Sequence, residues 1–131
     1  MASTDCLTGI SKTTVRTLRA DHRNILALFQ LYLAISPDSR RATVEQILGL
    51  LEEHFRKEEA LLANHLTQRG KGRQPRIEEI LREHDEVRAM IDELRGSESD
   101  DDQAMDEFFE DMMQTVRLHF VREERDLFPL P

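Results

Sequence analysis

The chain has 131 residues, 39% of them hydrophobic and 34% charged, with only five Gly and four Pro. That balance fits one helix-rich globular domain and excludes a disordered or fibrous chain. A net charge of −8 at pH 7 leaves no concentrated basic face for nucleic acid or for an anionic membrane surface.

Residues 1–11 read as a disordered N-terminal segment without the apolar core of a signal peptide, so a reducing cytoplasm is the expected compartment. This segment holds Cys6, the single cysteine; neither an intramolecular disulfide nor a thiolate metal cage can form. From residue 12 to 131 the chain reads as one bundle. The first amphipathic stretch carries Val15, Leu18, Ile25, Leu26, Phe29 and Leu33 and ends at "SPDS" (36–39), where Asp38 or Ser39 is placed to cap the next helix. The second carries Val44, Ile47, Leu48, Leu51, Leu61 and Leu62, up to the basic break "RGKGRQP" (69–75), whose charges are read as solvated. Pro75 suits the first turn of the third helix, which carries Ile77, Ile80, Leu81, Val87, Ile91 and Leu94. After the acidic break "GSESDDD" (96–102), which is placed to cap a helix, the fourth stretch carries Met105, Phe108, Phe109, Met112, Val116, Phe120 and Leu127. No strand pattern is present, and no apolar run approaches the ~18 residues of a membrane span. Four helices of roughly 20–28 residues with short connections predict an all-α, up-down-up-down antiparallel four-helix bundle.

Polar residues interrupt these apolar stripes at core positions. His22 lies between Leu18 and Ile25, His54 follows Leu51, Glu58 precedes Leu61, His84 sits between Ile80 and Val87, His119 follows Val116, and Glu123 precedes Leu127. All six face inward if the stretches are helical. The pattern repeats: "HFRKEE" (54–59) returns as "HFVREE" (119–124), and the lone His22 returns as His84. A single histidine on an apolar face is usually just a satisfied core residue. Six such residues spread over four stripes need a common cause, because buried charge is costly unless it is paired.

Residues four apart on a helix stand one above the other, so each HxxxE pair can offer an imidazole nitrogen and a carboxylate oxygen to one centre. Two such pairs plus two lone histidines satisfy two metal ions bridged by both carboxylates, with an oxo or hydroxo bridge and one open position each. Imidazole with carboxylate suits iron. Other divalent metals can substitute according to supply.

At these residues the sequence resembles the hemerythrin-like (HHE cation-binding) domains. The resemblance runs from about residue 12 to residue 131, through "ADHRNI", "EEHFRKEEALL", "REHDEVR" and "HFVREERDLFPLP". It implies a non-haem di-iron site formed by His22, His54, Glu58, His84, His119 and Glu123. Oxygen-carrying members have a fifth histidine from an HxxxH pair on the third helix. Here the positions four away from His84 are Ile80 and Arg88. The ligand set is instead similar to the bacterial-type domains linked to nitric oxide, oxidative stress and iron–sulfur repair, although the paired-cysteine domain usual in the repair proteins is not in this sequence.

The expected function is therefore a small di-iron protein that binds or reacts with O2, NO or peroxide, in sensing, detoxification or iron handling. The alternative is a structural or regulatory interaction module whose metal only stabilises the bundle. Glu59 and Glu124 are expected to face solvent or to brace a ligand from behind. His65 points the same way as Glu58 but about two turns along, roughly 10 Å away, too far for the same metal pair. Tyr32, ten residues from His22, is a poor candidate for a redox partner. No protein partner is legible.

Overall fold

The computed structural model describes residues 12–69, 75–97 and 101–127, without the side chains of 64–69. The expected 1–11 segment with its Cys6, the basic break at 70–74, the closing 128–131 and the side chain of His65 lie outside the described residues. Four α-helices make up the fold: α1 (Lys12–Ala34), α2 (Arg40–Arg69), α3 (Pro75–Gly96) and α4 (Asp102–Asp126), with a 3-10 turn at Pro37–Ser39. No strand occurs among the described residues. No helix there is long and apolar enough to cross a membrane.

Each helix packs on its neighbours in chain order, and α4 closes onto α1. This is the up-down bundle that short connections dictate. Pro75 is the first residue of α3, where its missing N–H costs nothing. Asp101 caps α4, its carboxylate accepting from the Ala104 N–H at 3.1 Å. The cap expected from Asp38 or Ser39 does not form. The Ser39 N–H donates to the Ser36 carbonyl within the 3-10 turn, which runs directly into α2 and leaves no separate helix start to cap.

The apolar stripes meet as two clusters. The larger is built on Ile25, Phe29, Tyr32, Ile47, Leu51, Phe55, Val87, Ile91, Phe109, Met112, Val116 and Phe120, among others. The smaller holds Val15, Leu18, Leu62, Ile77, Ile80 and Leu127. His22 lies between Leu18 of one and Ile25 of the other; His84 lies in the same way between Ile80 and Val87, and Glu123 between Phe120 and Leu127. The inward-facing polar residues thus occupy one layer with apolar packing above and below.

One stripe ends differently from its periodicity. Leu33 is 45% exposed, and Tyr32 is buried in its place. Both lie near the face marked by Phe29, three and four residues on, and the partners across the bundle decide between them. The Tyr32 ring packs on Phe109 at 4.8 Å and on Phe29 at 5.7 Å. Its hydroxyl donates to Glu110 at 3.0 Å, and the Arg40 guanidinium lies 4.6 Å above the ring while donating to the Tyr32 carbonyl. A leucine there would leave Glu110 without that donor. Burial, with Asp106 and Glu110 beside it, pushes the phenol well above its ordinary pKa, so it stays a donor.

Tyr32→Phe should therefore cost roughly 1.5–3 kcal/mol of stability, the value of a hydrogen bond to a charged group. Leu33→Ala should change stability by about 0.5 kcal/mol or less. Denaturant unfolding of the two variants measures both.

Candidate metal centre

All six residues expected at the site converge. Two quartets form, His22–His54–Glu58–Glu123 and Glu58–His84–His119–Glu123, and within each the ligand atoms lie within 4.8 Å of one another. Glu58 and Glu123 belong to both. None of the six is more than 2% exposed, so the layer is dry.

Helix geometry explains the convergence. On α2 and α4 the HxxxE spacing stacks histidine over carboxylate, with His54 Nε2 3.4 Å from Glu58 Oε2 and His119 Nε2 3.2 Å from Glu123 Oε1. From α1 and α3 a lone histidine enters at the same level. Glu58 divides its oxygens, Oε1 lying 3.1 Å from His84 Nε2 and Oε2 toward His54 and His22. Glu123 Oε1 lies 3.2 Å from the Nε2 of both His22 and His119, and its Oε2 lies 3.7 Å from His84 Nε2. Phe120 stacks on His22 at 3.8 Å and Phe55 on His84 at 4.2 Å; these rings limit how far the two imidazoles can turn.

Each of the four histidines of the layer points Nδ1 outward to a carboxylate of a neighbouring helix. His22 meets Glu124 at 2.7 Å, His54 meets Asp21 at 2.9 Å, His84 meets Glu59 at 2.8 Å and His119 meets Glu83 at 2.6 Å. Donation from Nδ1–H to a carboxylate leaves the Nε2 lone pair facing the core. Glu59 and Glu124 thus stand behind His84 and His22 and do not simply face solvent. Asp21 and Glu83 were not legible from the stripes. Their only signal in the sequence is position: each precedes a lone histidine, and a helix neighbour is turned about 100° off the core face, where it looks like surface.

The donor set of the interior fits a cation. Both oxygens of Glu58, both of Glu123 and the Nε2 atoms of His84 and His119 have no hydrogen-bond partner among the described residues. His22 Nε2 and His54 Nε2 face each other at 3.0 Å. With both Nδ1 atoms committed to carboxylates, neutral rings would oppose two lone pairs there. Nitrogen and carboxylate oxygen donors of this kind hold first-row transition metals, and outward Nδ1–H···carboxylate bonds are the usual support for metal-ligating histidine.

Protonation in the metal-free chain follows from the same crowding. Burial raises Glu123 well above the carboxylate range, and the adjacent Glu58 charge raises it further. Burial also acts to raise Glu58, but the adjacent His54 and His84 imidazoles outweigh it and hold Glu58 well below its ordinary value. Burial pulls His119 down to about 4 despite Glu83, and it lowers His22 despite Glu124. His54 goes the other way: burial lowers it, but Glu58 and Asp21 outweigh that and keep it above its ordinary value.

A helical bundle with a buried histidine–carboxylate layer defines a class of cation-binding proteins. The match to a family model is specific. Residues 13–130 match the model described as Hemerythrin HHE cation binding domain, and the chain belongs to that family. No match is found among curated proteins or among solved structures.

Metal entry should release protons. Glu123 and His54, both shifted upward, hold to higher pH than usual the protons that a metal must displace, whereas His22 and His119, both shifted down, give theirs up earlier. Zinc affinity should therefore rise with pH until the two upward-shifted groups have lost their protons, with up to about two protons released per chain below that point. Calorimetry in buffers of different ionisation enthalpy measures the release. Zinc uptake with no proton release at pH 6 would contradict this assignment.

Proposed function

We propose that His22, His54, Glu58, His84, His119 and Glu123 hold two iron ions, and that the pair binds or reacts with O2, NO or peroxide in sensing, detoxification or iron handling. The observation that carries this reading is the sharing of Glu58 and Glu123 by both quartets, a donor arrangement suited to two ions rather than one. Iron held by imidazole and carboxylate supplies one-electron chemistry toward diatomic ligands and peroxide.

The chain's own residues set the conditions for that chemistry. The two apolar clusters exclude water from the layer. A cleft of about 120 Å3 between α1 and α2 reaches His54, lined also by Asp21, Asn24, Ile25, Leu50, Glu53 and Lys57. Its size suits a diatomic molecule or peroxide and is too small for an organic substrate, whose pockets run to roughly 300 Å3 or more. The larger cleft, about 520 Å3, lies where the 3-10 turn approaches the start of α4 and touches none of the six groups.

Neither position four away from His84 supplies a further ligand. Ile80 is buried in the smaller apolar cluster, and Arg88 turns outward to grip Glu59 with both guanidinium nitrogens, at 2.6 and 2.9 Å. Each quartet keeps two histidines, which favours electron transfer to oxygen over reversible carriage and supports the bacterial-type reading.

The test reduces the iron-loaded protein anaerobically, adds stoichiometric O2, NO or peroxide and follows the visible spectrum. Rapid oxidation by O2 without a long-lived adduct, and a clear response to NO and peroxide, are expected. An unchanged spectrum with all three would favour a metal that only stabilises the bundle. An oxygen adduct that lasts for hours and reverses when oxygen is removed would make the protein a carrier.

A further inference from the structure

The four outward hydrogen bonds share a direction. Asp21 on α1 accepts from His54 on α2, Glu59 on α2 from His84 on α3, Glu83 on α3 from His119 on α4, and Glu124 on α4 from His22 on α1. The sequence of links closes on itself after one circuit of the bundle. No carboxylate of the set serves the histidine of its own helix.

A second set of contacts follows the same circuit. Each carboxylate is also held by a cation from the helix whose histidine it meets. Lys57 on α2 lies 2.8 Å from Asp21, Arg88 on α3 grips Glu59, Arg122 on α4 reaches Glu83 at 2.5 Å, and Arg19 on α1 reaches Glu124 at 3.1 Å. Every helix thus gives one carboxylate forward and meets the incoming one with a histidine and a cation. The carboxylates and histidines obey the internal repeat, Asp21 matching Glu83 at 62 residues and Glu59 matching Glu124 at 65. The cations obey it only in part. Lys57 and Arg122 are 65 apart, whereas Arg19 precedes its histidine by three and Arg88 follows its own by four. Different backbone positions have converged on one contact, which points to the contact as what matters.

We propose that Asp21, Glu59, Glu83 and Glu124 are positioning residues for the metal pair and act as one closed frame, in which each helix fixes the tautomer and ring angle of the next helix's histidine. The frame rests on metal being held by the six core groups, as proposed above. Its role is separable from simple helix–helix adhesion. Adhesion needs only opposite charges across a groove, and the pairing of each carboxylate with its cation supplies those without the histidine. Orientation needs an acceptor at Nδ1. A histidine that loses it can turn over or place its proton on Nε2, and its lone pair no longer faces the core. The frame also predicts where damage goes: removing a carboxylate disturbs the histidine one helix on, not the core residue beside it in the sequence.

The experiment loads isotope-labelled-histidine protein with zinc, a diamagnetic probe, and reads the imidazole N–H resonances together with zinc affinity by chelator competition. Four slowly exchanging Nδ1–H signals are expected, with all four Nε2 atoms ligated. Glu83→Ala should expose the His119 Nδ1–H to exchange, leave that of His84 in place, and weaken zinc binding about 10–100-fold. Glu83→Gln, which keeps an acceptor oxygen, should recover most of the protection. Because Glu83 is only 9% exposed and its removal can unfold the chain, Glu124→Ala and Glu124→Gln repeat the test at a more open link, read at His22. Wild-type affinity in both alanine variants would overturn the frame, as would a disturbance confined to the sequence neighbour. A wild-type chain that takes up no zinc would overturn the metal reading as well, so the two failures are distinguishable.

Discussion

Glu58 and Glu123 share one dry layer, and the rest of the bundle is arranged around that fact. Two carboxylates whose oxygens lie within 4.8 Å of a common set of atoms would, if both ionised, repel by roughly 3–4 kcal/mol at an effective dielectric near 20. That is comparable to what burying one or two core side chains contributes, about 1.5–3 kcal/mol each. Without a cation, Glu123 and His54 hold protons to higher pH than usual, and the unprotonated oxygens and nitrogens of the layer are left crowded together. With two cations, the same atoms become complementary. The layer is a cost to the empty bundle and carries the donor set of a metal site.

The helices are built to hold that layer level. Apolar residues one turn to either side, such as Leu18 and Ile25 around His22 or Ile80 and Val87 around His84, fix the height at which each helix enters. Phe55 and Phe120 then stack on His84 and His22, so two of the imidazoles are located by packing before any metal is considered. The outward carboxylates determine the remaining freedom, rotation of each ring about its own axis. Packing, stacking and hydrogen bonding each restrict a different motion of the same groups.

Much of this was legible in the sequence because it is written within single helices. The breaks at 36–39, 69–75 and 96–102 end helices where the turn residues lie, and Asp101 and Pro75 take the terminal positions their chemistry favours. The six core groups were visible because a polar residue in an apolar stripe is conspicuous, and more so when the pattern repeats. What was not legible depends on the register between helices. Whether Tyr32 or Leu33 turns inward is settled by Phe109 and Glu110 on α4, not by α1. Asp21 and Glu83 look like ordinary surface acids until the histidine of the next helix arrives beside them. The Asp38 or Ser39 cap failed for a local reason, since the turn and α2 are continuous.

The central claim, that one buried layer holds two ions on shared carboxylates, is tested most directly by counting metal. Metal-free protein reconstituted anaerobically with ferrous iron, freed of excess and analysed for elemental content, should retain about two irons per chain, the number that two bridging carboxylates and four imidazoles satisfy. Well under one metal of any kind per chain after that treatment would contradict it.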